Sequence, residues 1–378
     1  MTRTVIAAYA RSPFTPAKKG ALASVRPDDL AAQVIAALVK NSKINPADLE
    51  DLLLGCAFPE GEQGFNVARM ISFIAALPIT LGAATINRYC GSSMTAVHIA
   101  AGAIAMGAGE AFICAGVESM SRVPMMGFNP LPNAELAKAN PAAYMPMGDT
   151  AENVATRWKI SRFEQEQFAV ESHRRATAAQ AAGKFKDEII AIATKKGMIS
   201  EDGCIRSDTT LEGLAALKPA FSATGVVTAG TSSPLTDGAA ALLVCSESYA
   251  KKHKLDMLAA VKSVAVSGCA PDIMGAGPIG ASKKALARAG ITAAQLDVTE
   301  LNEAFSSQAL ASIRDIGLDP AKVNIDGGAI AMGHPLGATG ARIVGKAASL
   351  LKREKGKYAL ATQCIGGGQG IATVLEAI

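Results

Sequence analysis

Ile44-Asn45-Pro46-Ala47-Asp48-Leu49-Glu50 follows one helical stretch, and 247 positions later Ile291-Thr292-Ala293-Ala294-Gln295-Leu296-Asp297 follows another in the same way. Two similar boundaries at one offset predict a duplicated chain. The same offset carries Cys90 onto Gly337, beside His334, and the apolar run ending near Val117 onto the run ending at Cys364. Two pseudo-symmetric halves would then each aim a helix start and a strand end at one central place. Around these anchors, strand-like apolar runs over 4–10, 51–57, 111–117, 240–246, 259–267, 357–364 and 370–376 alternate with helical patterns near 28–40, 92–107, 278–289 and 337–353. The alternation predicts an α/β architecture.

The composition bounds what such a chain can do. Its 378 residues are 49% hydrophobic, enough for two or three domains with filled cores. A net charge of +4 without any basic block gives no indication of nucleic acid, while an anionic small molecule would be tolerated. The seven cysteines are an odd number, have no CxxC or other metal spacing and follow no export signal, which points to a reducing compartment, read as a cytoplasm. No apolar stretch reaches the roughly 18 residues that a membrane span needs.

Between the halves, residues 118–221 have a different texture. Met120, Pro124, Met125, Met126, Pro130, Pro132, Pro141, Met145, Pro146 and Met147 predict a lid-like loop with no regular element, whose methionines either wall an acyl chain or pack under the loop. An amphipathic helix should follow from Thr150 to about Gly183, interrupted at Ser161, where an N-cap fits. Trp158, Phe163 and Phe168 on it read as core or subunit contacts.

Four residues stand where chemistry would be expected. Cys90 lies in Asn87-Arg88-Tyr89-Cys90-Gly91-Ser92-Ser93-Met94, a turn that stops a short strand and opens a helix. The positive helix end there should ease thiolate formation relative to a free cysteine, so the residue is a candidate nucleophile or, alternatively, a structural thiol. His334, one of four histidines, sits in the glycine-rich turn Gly333-His334-Pro335-Leu336-Gly337 and suits a general base. Cys364 ends a strand and precedes Ile365-Gly366-Gly367-Gly368-Gln369-Gly370, whose backbone amides could form an oxyanion hole. No GxxxxGK[ST] accompanies that run, so a phosphate loop fits poorly. Asn302 either caps the helix after it or holds a water in an oxyanion site. Gly275-Ala276-Gly277-Pro278-Ile279-Gly280 satisfies the dinucleotide pattern, yet Pro278 reads better as the first residue of a helix.

Two cysteines, a histidine and an asparagine, each at a glycine-rich boundary and in this order, resemble the thiolase family over nearly the whole chain. The resemblance rests on residues 87–94, Asn302-Glu303-Ala304-Phe305, Gly333-His334-Pro335 and the Cys-x-Gly-Gly-Gly-x-Gly run from Cys364. It implies two βαβαβαββ halves in a five-layered α-β-α-β-α fold, with residues 1–117 and 222–252 as the first half, 118–221 as an inserted loop domain and 253–378 as the second half. It further implies that Cys90 attacks the keto carbon of a 3-ketoacyl-CoA, that His334 takes its proton and that Cys364 protonates the departing acetyl-CoA enolate. CoA would then release a shortened acyl-CoA. Of the two oxyanions, one would meet His334 and a water on Asn302, the other the backbone amides of Cys90 and Gly366. Ser233, Arg206, Met147 and Phe305 match positions near the bound CoA. Coenzyme A would be a substrate, and no metal or prosthetic group is expected.

Departures from the family pattern bear on subtype. Cys90-Gly91-Ser92-Ser93 replaces the common Cys-Ser-Ser-Gly, Thr231 stands where many members have Asn, and Pro146 precedes Met147 where short-chain enzymes have histidine. These look like the β-oxidation branch, with medium to long acyl chains; an acetoacetyl-CoA enzyme is the runner-up. Cys364 argues against ketoacyl synthases and hydroxymethylglutaryl-CoA synthases, and a non-catalytic acyl-CoA carrier or a thiol redox protein remains a rival of another class. The resemblance also implies a homodimer or homotetramer, with a hydratase/dehydrogenase subunit as a further partner and neither nucleic acid nor membrane.

Overall fold

The computed structural model describes residues 2–378. The first half runs β1 (Thr4–Arg11), β2 (Thr15–Pro16), α1 (Pro27–Ser42), β3 (Asp51–Gly55), α2 (Val67–Ile74), β4 (Gly82–Ile86), α3 (Ser92–Met106) and β5 (Ala111–Ser119). An intervening segment carries α4 (Ala134–Ala139), α5 (Met147–Arg157), α6 (Arg162–Ala181), β6 (Ile192–Thr194), β7 (Gly197–Ile199) and α7 (Leu211–Ala215), after which β8 (Thr236–Ser246) and α8 (Glu247–His253) return to the first half. The second half is β9 (Ala259–Gly268), α9 (Gly277–Ala289), β10 (Val298–Leu301), α10 (Ser306–Ile316), α11 (Ala329–Met332), α12 (Leu336–Arg353), β11 (Tyr358–Ile365) and β12 (Gln369–Glu376). The counterpart of β4 in this half is reduced to a single parallel bridge, Thr299 to Val323.

Residue alternation along the strands builds the layers. Leu52 and Leu54 of β3 face α1 and α2, whereas Leu53 faces the opposite side, where α3 and α12 lie. On β12, Ile371 and Leu375 face α3 and α12, while Ala372 and Val374 face α9 and α10. Two sheets therefore enclose the α3/α12 pair and are covered outside by one helix layer each, giving five layers. Strand order is β10-β11-β12-β9-β1-β8-β5-β3-β4, and the two sheets join only where Val5 and Ile6 of β1 pair with Ala260 and Ala259 of β9.

Several local readings hold, and two change. Pro27 at the helix start, Asp28 and Asp29 in the first turn and Lys40 in the last fit α1 to its dipole. Ser161 caps α6 in a full capping box with Glu164. The loop after β5, however, contains the short helix α4, capped by Asn133, so its prolines delimit an element rather than exclude one. Asn302 does not cap α10, whose cap position is Phe305. The dinucleotide-like glycines serve packing: a Cβ on Gly277 would lie 2.0 Å from the Gln369 carbonyl oxygen, and one on Gly370 would lie 2.0 Å from that of Gly277. Those contacts seat α9 against β12.

Candidate active site

The start of each central helix meets the strand ends of both halves. Tyr89–Gly91 forms a single 3-10 turn before α3, placing Cys90 at the helix entrance. Gly337, at the start of α12, is wedged so tightly that a Cβ there would lie 2.6 Å from Val117 O and 2.7 Å from Gly55 O. Only glycine lets this helix end approach the first half's strands so closely.

The second half holds Cys90 directly. Gln363 Nε2 donates to the Cys90 carbonyl, and the N–H groups of Gly366 and of Cys90 itself point at its sulfur. Ala57, Phe58, Met120, Val123 and Leu336 form one apolar cluster with it, and Met125 packs against that cluster. The expectation of an easily formed thiolate is reversed. Burial pushes the Cys90 thiol up to about 12, outweighing the two amides, and the Glu118 charge adds to the rise. Cys364 is likewise raised well above the ordinary thiol value, by burial first and then by Cys90.

His334 has both ring nitrogens placed. Its Nδ1 lies 2.6 Å from Thr339 Oγ1, and that hydroxyl gives its proton to Pro335 O at 3.0 Å. The threonine oxygen therefore accepts from Nδ1–H, leaving Nε2 as the free base. Asn302 Nδ2 donates toward Nε2 at 3.3 Å, while Asn302 Oδ1 is buried without a partner. Thr236 Oγ1 accepts from the His334 backbone N–H at 3.0 Å and fixes the turn. Burial holds the imidazole down at about 3, so at neutral pH it is uncharged. The resting site thus contains a neutral thiol and a neutral base, and charge must be created during reaction.

Substrate-side residues divide. Met147 and Phe305 form one apolar cluster with Cys364, Met274 and Val227, and Phe305 meets Phe221 edge-on. Ser233 N donates to Ala304 O at 3.0 Å, which lays its loop along the Asn302–Phe305 segment. Arg206 stays apart: its side chain is exposed, and its backbone N–H donates to His173 Nδ1. Cys90 is 2% exposed, His334 4% and Cys364 0%, so all three lie within the protein interior. Two clefts, of about 780 and 800 Å³, open elsewhere and are lined by none of them. Among the described residues no group of three or more His, Cys, Asp or Glu could hold a metal ion.

Thr339, Gln363 and Glu118 are the site residues that sequence reasoning missed. Thr339 stands between Gly337 and Gly340 and Gln363 beside Cys364, yet what each of the three does depends on a ring orientation or on a contact distant in sequence. Spacing carries no signal for either.

Comparison with known proteins follows the same division into halves. The family model "Thiolase, N-terminal domain" matches residues 4–248, and "Thiolase, C-terminal domain" matches residues 255–377. The chain is 45% identical over 389 residues to a 3-ketoacyl-CoA thiolase of Bacillus subtilis (strain 168), with 100% of both chains covered. It is 47% identical over 388 residues to one of Pseudoalteromonas translucida (strain TAC 125), again with 100% of each covered. A 3-ketoacyl-CoA thiolase of Shewanella frigidimarina (strain NCIMB 400) is 47% identical over 391 residues, at the same coverage.

Proposed function

The chain belongs to the thiolase family, and from that premise we propose how its residues divide the work of cleaving a 3-ketoacyl-CoA with CoA. The protein is an acyltransferase of fatty-acid degradation that releases acetyl-CoA and a shortened acyl-CoA. Cys90 Sγ bonds to the keto carbon as His334 Nε2 takes the thiol proton. The adjacent carbon–carbon bond breaks, leaving the acyl group on Cys90, and the Cys364 thiol protonates the acetyl-CoA enolate. The Cys364 thiolate then takes the proton of the incoming CoA thiol. CoA sulfur attacks the acyl-Cys90 thioester, and Cys90 leaves with the proton held by His334, which restores the site.

The observation that carries this assignment is the convergence of donors on two spots. Asn302 Nδ2 points at the imidazole Nε2, which becomes a second donor once it holds the thiol proton, and the amides of Cys90 and Gly366 act on the sulfur to lower its pKa. Preorganised donors of this kind stabilise an oxyanion in a site that excludes water. Raised thiol values also suit the chemistry, because Cys364 must keep its proton until a carbanion forms. Met147, Phe305 and Ser233 are assigned to the substrate side, Arg206 to the outer CoA contact, and residues 118–221 to an inserted domain that covers the site. No metal or prosthetic group enters the scheme.

We further infer medium to long acyl chains and a homodimer or homotetramer working in a cytoplasm. Phe65 is 91% exposed and Ile79 79%, with Phe73 and Ile74 half exposed near the unpaired edge of β4, which supports burial of that face against another copy. No helix among the described residues is long and apolar enough to cross a membrane. The test is thiolysis of 3-ketoacyl-CoA substrates of four carbons and upward, with Cys90→Ala as the control. Faster cleavage of longer chains with an inactive variant supports the proposal. Activity on acetoacetyl-CoA alone moves the enzyme to the short-chain subtype, and no activity favours a carrier.

A further inference from the structure

Glu118 is 1% exposed at the end of β5, and no lysine or arginine among the described residues forms an ion pair with it. Backbone and amide donors surround it instead. Its Oε2 accepts from Ala57 N at 2.8 Å and from Gly337 N at 2.9 Å. Its Oε1 accepts from Gln63 Nε2 at 2.8 Å and from Phe58 N at 3.3 Å, with Cys56 Sγ at 3.7 Å. Five donors, the Cys56 thiol included, favour an acceptor-only carboxylate and work against the rise that burial gives its pKa, since a protonated carboxyl would set a further donor among them. The α12 start has no side-chain cap of its own, and Glu118 supplies one from the other half at the positive end of the helix dipole.

The bonded partners are the walls of the reacting groups. Ala57 and Phe58 pack against Cys90 together with Leu336, and Gly337 follows His334 by three residues. We propose that Glu118 is a positioning residue for the reaction, a carboxylate at the end of β5 that clamps the start of α12 and so sets the Cys90 wall and the His334 turn in one register. Its charge also faces the nucleophile and opposes a standing thiolate. The titratable groups facing it are Cys56 at the β3 end and Cys90 before α3; α12 presents only backbone to it.

The inference rests on Cys90 as the nucleophile, so the test reads both. Alkylation by iodoacetamide is followed across pH with peptide mass spectrometry, beside kcat and KM for thiolysis. Glu118→Gln keeps the shape, removes the charge and turns an amide N–H2 toward other donors. Its kcat falls about 100-fold from lost register while KM stays within about twofold. Its Cys90 alkylation midpoint moves down by about one pH unit. Gln63→Met keeps the charge and withdraws the amide donor to Glu118, along with that amide's bonds to Phe58 O and from Ser119 N; its midpoint moves up, and this variant carries the test if Glu118→Gln does not fold. An unmoved midpoint in a folded Glu118→Gln overturns the inference even if kcat falls, because lost stability alone would lower kcat. Labelling confined to a cysteine other than Cys90 overturns the nucleophile assignment instead.

Discussion

Replacing Thr339 by valine removes one oxygen and leaves the shape of a buried side chain nearly unchanged. That oxygen is the acceptor 2.6 Å from His334 Nδ1, the hydrogen-bond partner of that ring atom among the described residues. In Thr339→Val the imidazole has two poor choices. Keeping the proton on Nδ1 leaves a buried N–H without a partner, at a cost of about 1–3 kcal/mol. Moving it to Nε2 turns a second donor toward Asn302 Nδ2 and abolishes the base. The imidazolium formed when Cys90 gives up its proton suffers more, since a hydrogen bond from a charged donor is worth about 1.5–3 kcal/mol. Because the neutral ring loses the same partner, only the difference, about 1–2 kcal/mol, slows acylation, a fall of about 5- to 30-fold. Single-turnover acylation of Cys90 by a 3-ketoacyl-CoA reads that step directly, and KM should hold, because Thr339 is 1% exposed and sits behind the ring. Thr339→Ser restores the acceptor and most of the rate. A valine variant at the wild-type rate, or a serine variant as slow as valine, would refute the tautomer argument.

Three further outcomes follow from the same geometry. Gly337→Ala should yield little folded protein, since its methyl would meet backbone atoms of Val117, Gly55 and Cys56 within 2.8 Å; soluble expression and thermal unfolding check this. His334 should make the fold acid-sensitive. The unfolded imidazole binds a proton below about 6.5, whereas the folded one does not until about 3, so stability present above the former is lost as pH falls through that window. At pH 5 this amounts to about 2 kcal/mol, and urea unfolding should show a smaller loss between pH 7 and 5 for His334→Gln than for the wild type. Asp202→Ala should cost about 3–5 kcal/mol in denaturant unfolding, because Asp202 grips the buried Arg11 guanidinium through two bonds of 2.7 and 2.8 Å and also accepts from Phe14 N.

What could be read from the chain depended on how local the cause was. The runs that became β1, β5, β8, β11 and β12 are long and apolar because both of their faces are covered, and they were legible for that reason. The strand β10 has only four residues and α2 only eight, too short for either period to stand out, and they were not. Cys90, His334 and Cys364 stand beside glycines that mark close approaches, which is a local signal. Asn302 is ambiguous from its neighbours, since an Asn before a helix is usually a cap, and only tertiary packing turns it toward His334. The protonation of Cys90 was misjudged for a related reason. A helix end is visible in sequence, but the burial that outweighs it comes from residues 57, 58, 120, 123 and 336.

Among the described residues the two half sheets share only the pairs Val5 to Ala260 and Ile6 to Ala259, yet Cys90 comes from one half and His334, Asn302 and Cys364 from the other. Catalytic competence is thus an event of docking, separate from the formation of either sheet. A refolding chain should regain its far-ultraviolet signal while still inert, and the lag before turnover would time the moment at which the two half-molecules find each other.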